Sequence, residues 1–296
     1  MYILAIETTG PVGSVAVIDA DAKDRMAARV PMKITTQTMS HLKNLVPMME
    51  KIFDEEGIGK DEVCAVAASV GPGSFTGIRI GVSTARALAQ AWGVPCISVP
   101  SLEVFREKCG NGGKGRVAED GSDVNGSKGR VAEDGSAVNG SDGSVCAIFN
   151  ARRGQVYAAC FGCSGEVLIE PGPYMLADVL DRIEELGAKP TFYGDGVDAY
   201  FDKEEFRDRV SGYAAAPVEK RYQTADMAAR YALDVWKAGS DDSGQKAGAD
   251  EKIVDYGELL PDYMRESEAE QRLKDGSLEK MRKEKMERFM KMAGKK

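Results

Sequence analysis

The sequence predicts an α/β protein in which mixed sheets are flanked by helices. Residues 2–99 give strand and helix patterns in the order β-β-β-α-β-α-β. After a polar, glycine-rich segment, strand, helix and strand patterns recur in a similar order, which indicates two related lobes. Apolar residues make up 43% of the chain and charged residues 29%, as is usual for a globular protein.

The first lobe is predicted to open with a hairpin and a third strand, followed by a helix. Tyr2–Thr8 and Val12–Asp19 are apolar, β-branched runs separated by a Gly-Pro turn, and a third strand is expected within Met26–Ile34. Ser40 is expected to cap a helix with apolar residues at three- and four-residue spacing. Pro47 should bend this helix or lie early in it.

The remaining elements of the first lobe follow from glycine and β-branched residues. We predict a buried strand at Glu62–Val70 and a glycine-rich turn at Gly71–Gly77. A helix at Ile78–Trp92 and another strand at Val94–Val99 follow. Ser74 or Thr76 is expected to cap the helix. The second lobe is predicted to contain a hairpin of Val145–Asn150 and Gln155–Phe161, followed by a helix at Leu176–Leu186. A short strand at Thr191–Tyr193 and a helix at Thr224–Lys237 complete it.

Four regions are predicted along the chain. They are a first lobe with partner-binding helices (1–105), a flexible insertion (106–144), a second lobe (145–265) and a basic helical tail (266–296). Helix 224–238 is counted in the second lobe, and the alternative is that it packs back on the first lobe. Within the insertion, Gly115–Ser127 recurs as Gly129–Ser141 with one difference, which indicates a duplicated surface segment. The basic tail is predicted to be either a docking segment or a solvated terminus.

Charge and composition exclude several classes of protein. The net charge of −8 argues against nucleic-acid binding by bulk charge, so contact with RNA should be local or made by a partner. Six dispersed cysteines, no signal-peptide pattern and no apolar run long enough for a membrane predict a reduced, cytoplasmic protein without a membrane partner. His41 is the only histidine, which excludes a two-histidine metal motif.

The glycine-rich segment Gly71–Gly81 follows a strand and opens a helix, where free N–H groups can receive an anion. It matches neither the Walker loop nor G-x-G-x-x-G, so a tight turn with a capped helix is the favoured interpretation. Gly77, Gly81 and Ala85 form a small-residue stripe on that helix. The stripe can face either the sheet of its own domain or a second chain, and periodicity leaves both open.

Two groups of residues are weak candidates for binding a nucleotide or a metal-bound phosphate. Glu7, Thr8 and Thr9 end the first strand, and a solvated or capping carboxylate is the alternative there. The second group is a loop tripeptide: Gly194, Asp195 and Gly196. Cys160 and Cys163 have CxxC spacing but lack the two further ligands that a zinc site needs, so no metal site is predicted.

Several motifs resemble the TsaB family, also called YeaZ, the dimerisation subunit of the bacterial complex that makes tRNA threonylcarbamoyladenosine (t6A). The resemblance rests on the segments ILAIETT at 3–9, His41-Leu42 and above all GPGSFTGIRIG at 71–81. The segment NARRGQVY at 150–157 resembles the family's D-A-R-x-G-x-V-Y, with Asn150 at the usual Asp position, and PDYMR at 261–265 resembles a late family element.

This resemblance implies a two-lobed actin-like/Hsp70-like ATPase (ASKHA) fold. It also implies a non-catalytic scaffold and activator related to TsaD, the transferase that modifies N6 of adenosine 37 in ANN-decoding tRNAs. TsaD-type enzymes hold their metal with a helical H-x-x-x-H motif, which a chain with one histidine lacks. The alternative is a nucleotide-binding ATPase or small-molecule kinase of the same fold, using the two weak candidate groups.

The resemblance further implies that helices 41–56 and 78–92 pair with TsaD, or with a second copy of the chain when TsaD is absent. The partner-binding positions are then Leu42, Leu45, Val46, Met49, Gly77, Ile78, Gly81, Val82, Ala85 and Leu88. TsaE is expected to join with ATP, and tRNA to bind only through the complex. ATP and Mg are expected at the level of the complex, with no intrinsic cofactor. Gly81→Arg is expected to abolish TsaD binding and leave the fold intact.

Overall fold

Two sheets with the same strand topology organise this chain. The computed structural model describes residues 1–35, 41–109, 142–239, 251–264 and residue 282, with the backbone alone at 41 and 42. The predicted cap at Ser40 and the duplicated segment lie outside the described residues, as does the tail apart from residue 282. No helix among the described residues is long and apolar enough to cross a bilayer.

The bounds of the elements are as follows. The strands are β1 (Tyr2–Glu7), β2 (Gly13–Asp19), β3 (Met32–Thr35), β4 (Val63–Gly71), β5 (Cys96–Pro100), β6 (Val145–Asn150), β7 (Gln155–Phe161), β8 (Val167–Met175), β9 (Thr191–Tyr193), β10 (Ala214–Ala215) and β11 (Ile253–Val254). The α-helices are α1 (His41–Glu56), α2 (Phe75–Trp92), α3 (Leu176–Glu185), α4 (Asp195–Tyr200), α5 (Glu204–Val210), α6 (Val218–Arg221) and α7 (Ala225–Gly239). Two 3₁₀ helices span Lys60–Glu62 and Glu103–Lys108.

The first sheet has the strand order β11-β5-β4-β1-β2-β3. Strand β1 pairs antiparallel with β2 and parallel with β4, which confirms the predicted hairpin and the mixed sheet. Strand β3 begins at Met32, six residues later than predicted, because Asp24 diverts the backbone before it. The Asp24 Oδ1 atom accepts from the Met26 N–H at 2.8 Å, and such local bonds compete with strand pairing.

The second sheet has the order β10-β9-β6-β7-β8, which repeats the β5-β4-β1-β2-β3 part of the first. The predicted hairpin of β6 and β7 is confirmed at its expected bounds. Strand β8 was not predicted from the sequence, because Pro171 and Pro173 interrupt its run of strand-forming residues. It is an edge strand, where a missing N–H costs no ladder bond.

Helices cover both faces of the first sheet. On one face, α1 and α2 close a core with alternate residues of β1, β2 and β4, among them Leu4, Ile6 and Val15. Helix α7 packs on β1, β2 and β5, and β11 pairs antiparallel with β5. The chain therefore returns to the first sheet after α6. The predicted second lobe, residues 145–265, thus does not extend to residue 265 as one unit, and α7 packs on the first sheet.

Cys146 and Cys160 lie directly opposite each other on β6 and β7, and their sulfurs are joined in a disulfide. The prediction of fully reduced cysteines is therefore wrong for this buried pair. Because Cys160 is bonded to Cys146, its CxxC spacing to the exposed Cys163 marks no metal half-site. Among the described residues, no three His, Cys, Asp or Glu side chains are placed to hold one metal ion.

Candidate functional site

The small-residue stripe of α2 faces its own sheet. A Cβ atom on Gly77 would overlap the Thr8 carbonyl oxygen, and one on Gly81 would lie 2.5 Å from Thr8 Oγ1. The Thr8 hydroxyl in turn donates to the Gly77 carbonyl at 2.7 Å. The stripe therefore allows α2 to approach β1 closely, and the expectation that Gly81→Arg would leave the fold intact is wrong.

Most of the predicted partner-binding positions are buried in the first-sheet core, so they are not available to a partner. The buried positions are Leu45, Met49, Gly77, Ile78, Gly81, Val82 and Ala85. These apolar and small side chains mark the inner side of the two helices, which corrects the prediction. Val46 is 50% exposed and Leu88 is half-buried, whereas the side chain of Leu42 lies outside the described residues.

A partly exposed apolar surface remains on the outer side of α1 and α2. We call it the outer helical face and define it by Val46, Phe53, Phe75, Ile80, Leu88 and Trp92. Phe53 and Trp92 join the two helices, with ring centroids 6.1 Å apart. Leu88 and Trp92 are four residues apart, a spacing that places them on the same side of α2 and that the sequence already shows.

The turn before α2 uses its backbone donors within the chain. Ser74 Oγ accepts from the Gly77 N–H at 3.2 Å, which confirms the predicted Ser74 cap. The Ser74 N–H donates to the Thr9 carbonyl at 2.7 Å. Gly73 has a φ of 154°, and a Cβ there would lie 2.5 Å from the Thr9 oxygen. The contacts support a tight turn over residues 71–74, and α2 begins at Phe75, three residues earlier than predicted.

The ends of β1 and β4 enclose a buried polar cluster. Glu7 Oε1 accepts from the backbone N–H of Thr9 and from its hydroxyl, the latter at 2.6 Å. Thr9 Oγ1 also accepts from Gln223 Nε2 at 3.2 Å and lies 3.1 Å from Ser101 Oγ. The Gln223 side chain fills the space beside Gly10, where a Cβ would lie 2.7 Å from Nε2. The cluster ties the first strand to the start of α7.

Burial raises the pKa of Glu7 above its ordinary value of 4.5, although the hydrogen bonds from Thr9 oppose the shift. Its Oε2 atom has no hydrogen-bond partner in the part of the chain that the structure describes. Below pH 4.5 the carboxyl is neutral in both the folded and the unfolded state. As the pH rises through the raised pKa, only the unfolded state holds the charge at low cost, so folding becomes less favourable.

Glu7→Gln is therefore expected to stabilise the protein increasingly as the pH rises from 4 to 8. The amide keeps the acceptor for Thr9 and removes the buried charge, with a gain of about 1 kcal/mol or more at the upper end. Urea unfolding of both proteins across this range measures the difference. The exposed Glu219→Gln serves as the control, and a Glu7→Gln difference that stays constant with pH would contradict a raised pKa.

The tripeptide Gly194, Asp195 and Gly196 opens α4 and packs on β6. Gly194 has a φ of 92°, and a Cβ on Gly196 would lie 2.8 Å from the Ile148 carbonyl oxygen. Asp195 Oδ1 accepts from the Asn150 N–H at 3.0 Å, and burial raises the pKa of Asp195. These residues thus pack the start of α4 against β6 of the second sheet. The segment 221–223 connects them to the cluster around Glu7, because the Gly194 N–H donates to the Arg221 carbonyl at 2.8 Å and Gln223 donates to Thr9.

Asn150 performs an acceptor role that a carboxylate would also fill. Its Oδ1 atom accepts from the Arg152 N–H at 2.8 Å and from the Tyr200 hydroxyl at 3.0 Å. Arg152 and Arg153 have φ values of 65° and 55°, so the turn between β6 and β7 is held in a left-handed conformation. An amide oxygen is sufficient for both contacts.

Comparison with known proteins gives concordant results. A family model described as TsaD, tRNA N6-adenosine threonylcarbamoyltransferase, matches residues 33–115. The chain is 25% identical over 275 residues to the tRNA threonylcarbamoyladenosine biosynthesis protein TsaB of Bacillus subtilis, covering 91% of this chain and 96% of that protein. It is 33% identical over 107 residues to TsaB of Haemophilus influenzae, covering 36% and 42%. YeaZ from Pseudomonas aeruginosa matches with a TM-score of 0.55 and 20% identity, over 88% of this chain and 99% of YeaZ.

Two sheets of repeated topology, each flanked by helices, define a two-lobed α/β protein of the ASKHA fold class. On α1 and α2, Val46 and Phe75 are large apolar side chains that remain exposed, and both belong to the outer helical face. Over nearly its whole length, the chain is similar to proteins of the TsaB (YeaZ) family.

Proposed function

We propose that this chain is a non-catalytic scaffold and activator that binds TsaD for threonylcarbamoylation of N6 of adenosine 37 in ANN-decoding tRNAs. The outer helical face is the observation that carries the proposal. Val46 is 50% exposed and Phe75 is 41% exposed, whereas Leu88 and Trp92 are half-buried. Exposed apolar side chains on a folded protein can mark an interaction site, and aromatic residues are enriched at such sites.

The polar clusters support a role without catalysis. Thr9 and Gln223 bond to each other, and Gly10 leaves no room for a further group beside Gln223. Gly194 and Gly196 are in contact with the Ile148 backbone. Both sets of residues considered for a nucleotide thus have structural partners within the chain, which favours a scaffold over the alternative ATPase or small-molecule kinase.

The rest of the assembly follows from the family resemblance and belongs to the same proposal. TsaE joins the complex with ATP and magnesium, and tRNA binds through the complex, in keeping with the net charge of −8. In the absence of TsaD, the outer helical face pairs two copies of this chain. The cytoplasm is the expected compartment.

Reconstitution of the modification tests this function. The chain, TsaD, TsaE, ATP, threonylcarbamoyl-AMP and an unmodified ANN-decoding tRNA are combined, and t6A is measured by mass spectrometry of the digested tRNA. We expect t6A from the complete mixture, none from the chain alone, and a loss of most product when the chain is omitted. Equal product without the chain, or turnover by the chain alone, would overturn the proposal.

A further inference from the structure

We propose that Cys109 and Cys163 form a redox pair, in which a small-molecule disulfide joins the two thiols and a thiol reductant separates them. Cys109 follows the 3₁₀ helix Glu103–Lys108, and Cys163 lies in the turn between β7 and β8. Both are free cysteines, far apart in the sequence. The pair is a site of reversible covalent modification, separate from the buried disulfide of the second sheet and from the outer helical face.

The turn that carries Cys163 packs on the 3₁₀ helix through Arg106. A Cβ atom on Gly165 would lie 3.3 Å from Arg106 Cγ, so the backbone of the turn touches this side chain. The guanidinium carbon of Arg106 lies 4.8 Å from the centre of the Phe161 ring, just before the turn. The Cys109 N–H donates to the Arg106 carbonyl at 3.2 Å. Arg106 therefore contacts the turn through its side chain and Cys109 through its backbone.

The electrostatic environment of Cys109 also places it beside this turn. Burial raises the pKa of the Cys109 thiol to about 11, the Arg106 guanidinium opposes the shift, and Glu166 and Cys163 add to it. Charges near a protein surface interact over roughly 10 Å at 0.1 M salt, so both groups of the turn are near the Cys109 thiol. Cys163, Ser164 and Glu166 are exposed, and such a turn can shift to bring the two sulfurs into bonding distance.

The two thiols differ in accessibility, which sets the order of the reaction. Cys163 is exposed, so its thiolate attacks one sulfur of the small-molecule disulfide, forms a mixed disulfide and releases one thiolate of the reagent. The half-buried Cys109 loses its proton to solvent, and its thiolate attacks the Cys163 sulfur and expels the second thiolate. The two cysteines have then lost two electrons, which the reagent has gained as two thiols. A dithiol reductant reverses both steps.

The new bond fastens the connection between the two sheets. The 3₁₀ helix follows β5 of the first sheet, and its Phe105 ring packs on the second sheet, with centroids 5.9 Å from Phe149 and 5.5 Å from Tyr193. The turn between β7 and β8 belongs to the second sheet. A Cys109–Cys163 bond thus ties the end of this connection to the second sheet and closes a long loop in the unfolded chain. Closing such a loop stabilises the folded state.

Peptide mapping by mass spectrometry tests the pair. The full chain is incubated with dithiothreitol, freed of it, treated with oxidised glutathione and digested with pepsin at low pH. We expect a peptide that links Cys109 to Cys163 and that is lost on renewed reduction. The linked protein is expected to melt about 5 °C or more above the reduced protein. Complete glutathionylation of Cys163 without a link to Cys109, or a linked protein with unchanged Tm, would overturn the proposal.

Three variants assign the bond. Cys109→Ser is expected to stop at the mixed disulfide on Cys163, and Cys163→Ser is expected to form no link. Neither should gain the rise in Tm, which separates this bond from the Cys146–Cys160 disulfide that both variants keep. Cys64→Ser removes a half-buried free cysteine of β4 and is expected to form the link as the parent does. Loss of the link in Cys64→Ser, or an equal rise in Tm in Cys163→Ser, would contradict the assignment.

Discussion

Replacing Gly77 with alanine is expected to lower the free energy of unfolding by about 3 kcal/mol, because the added methyl group overlaps the Thr8 carbonyl oxygen. Alanine gains about 1 kcal/mol over glycine in helix propensity, but a backbone atom of β1 has little freedom to yield. Such a loss corresponds to a fall in Tm of roughly 6–12 °C. Urea or thermal unfolding monitored by circular dichroism measures it.

Gly212→Ala is the matched control for this substitution. No atom lies within 4 Å of a Cβ built on Gly212, so its Tm should stay close to that of the parent. If Gly77→Ala were as stable as Gly212→Ala, α2 would lie farther from β1 than the structure shows. The stripe of small residues would then again be available to a second chain.

Val46→Glu is expected to weaken binding to TsaD by at least about 30-fold, since it places a charge in the apolar part of the outer helical face. The side chain is 50% exposed in the free chain, so stability should change by no more than about 0.5 kcal/mol. Calorimetric titration of purified TsaD into the variant measures affinity, and thermal unfolding of the variant alone measures stability.

Leu186→Glu is the control for Val46→Glu, because Leu186 is 54% exposed and follows α3 beside the second sheet. It should bind TsaD with the affinity of the parent. Equal loss of affinity in both variants would indicate a general effect of added charge. Unchanged affinity in Val46→Glu would show that TsaD binds elsewhere.

The sequence predicted the order of elements better than the orientation of the helices. The hairpin of β1 and β2 and the cap of α2 at Ser74 depend on local turns and hydrogen bonds, and both are confirmed. The stripe of Gly77 and Gly81 was open to two interpretations because periodicity identifies a helix side but not what covers it. Only the contact with Thr8, a distant residue in the sequence, decides between them.

Long-range packing also explains what sequence reasoning missed at the sites. Gln223 carries no motif, yet it closes the cluster around Thr9 from the start of α7. Conversely, Glu7 was singled out by its position at a strand end, and the structure gives it a structural role within the chain.

Site-specific photo-crosslinking most directly tests whether the outer helical face binds TsaD. A photoreactive phenylalanine analogue is placed at position 46, at position 88 or, as the control, at position 186, and each protein is irradiated with purified TsaD. Covalent adducts with TsaD are predicted from positions 46 and 88 and not from 186. Adducts from 186 alone, or from none of the three while the proteins still co-purify, would contradict this role for the two helices.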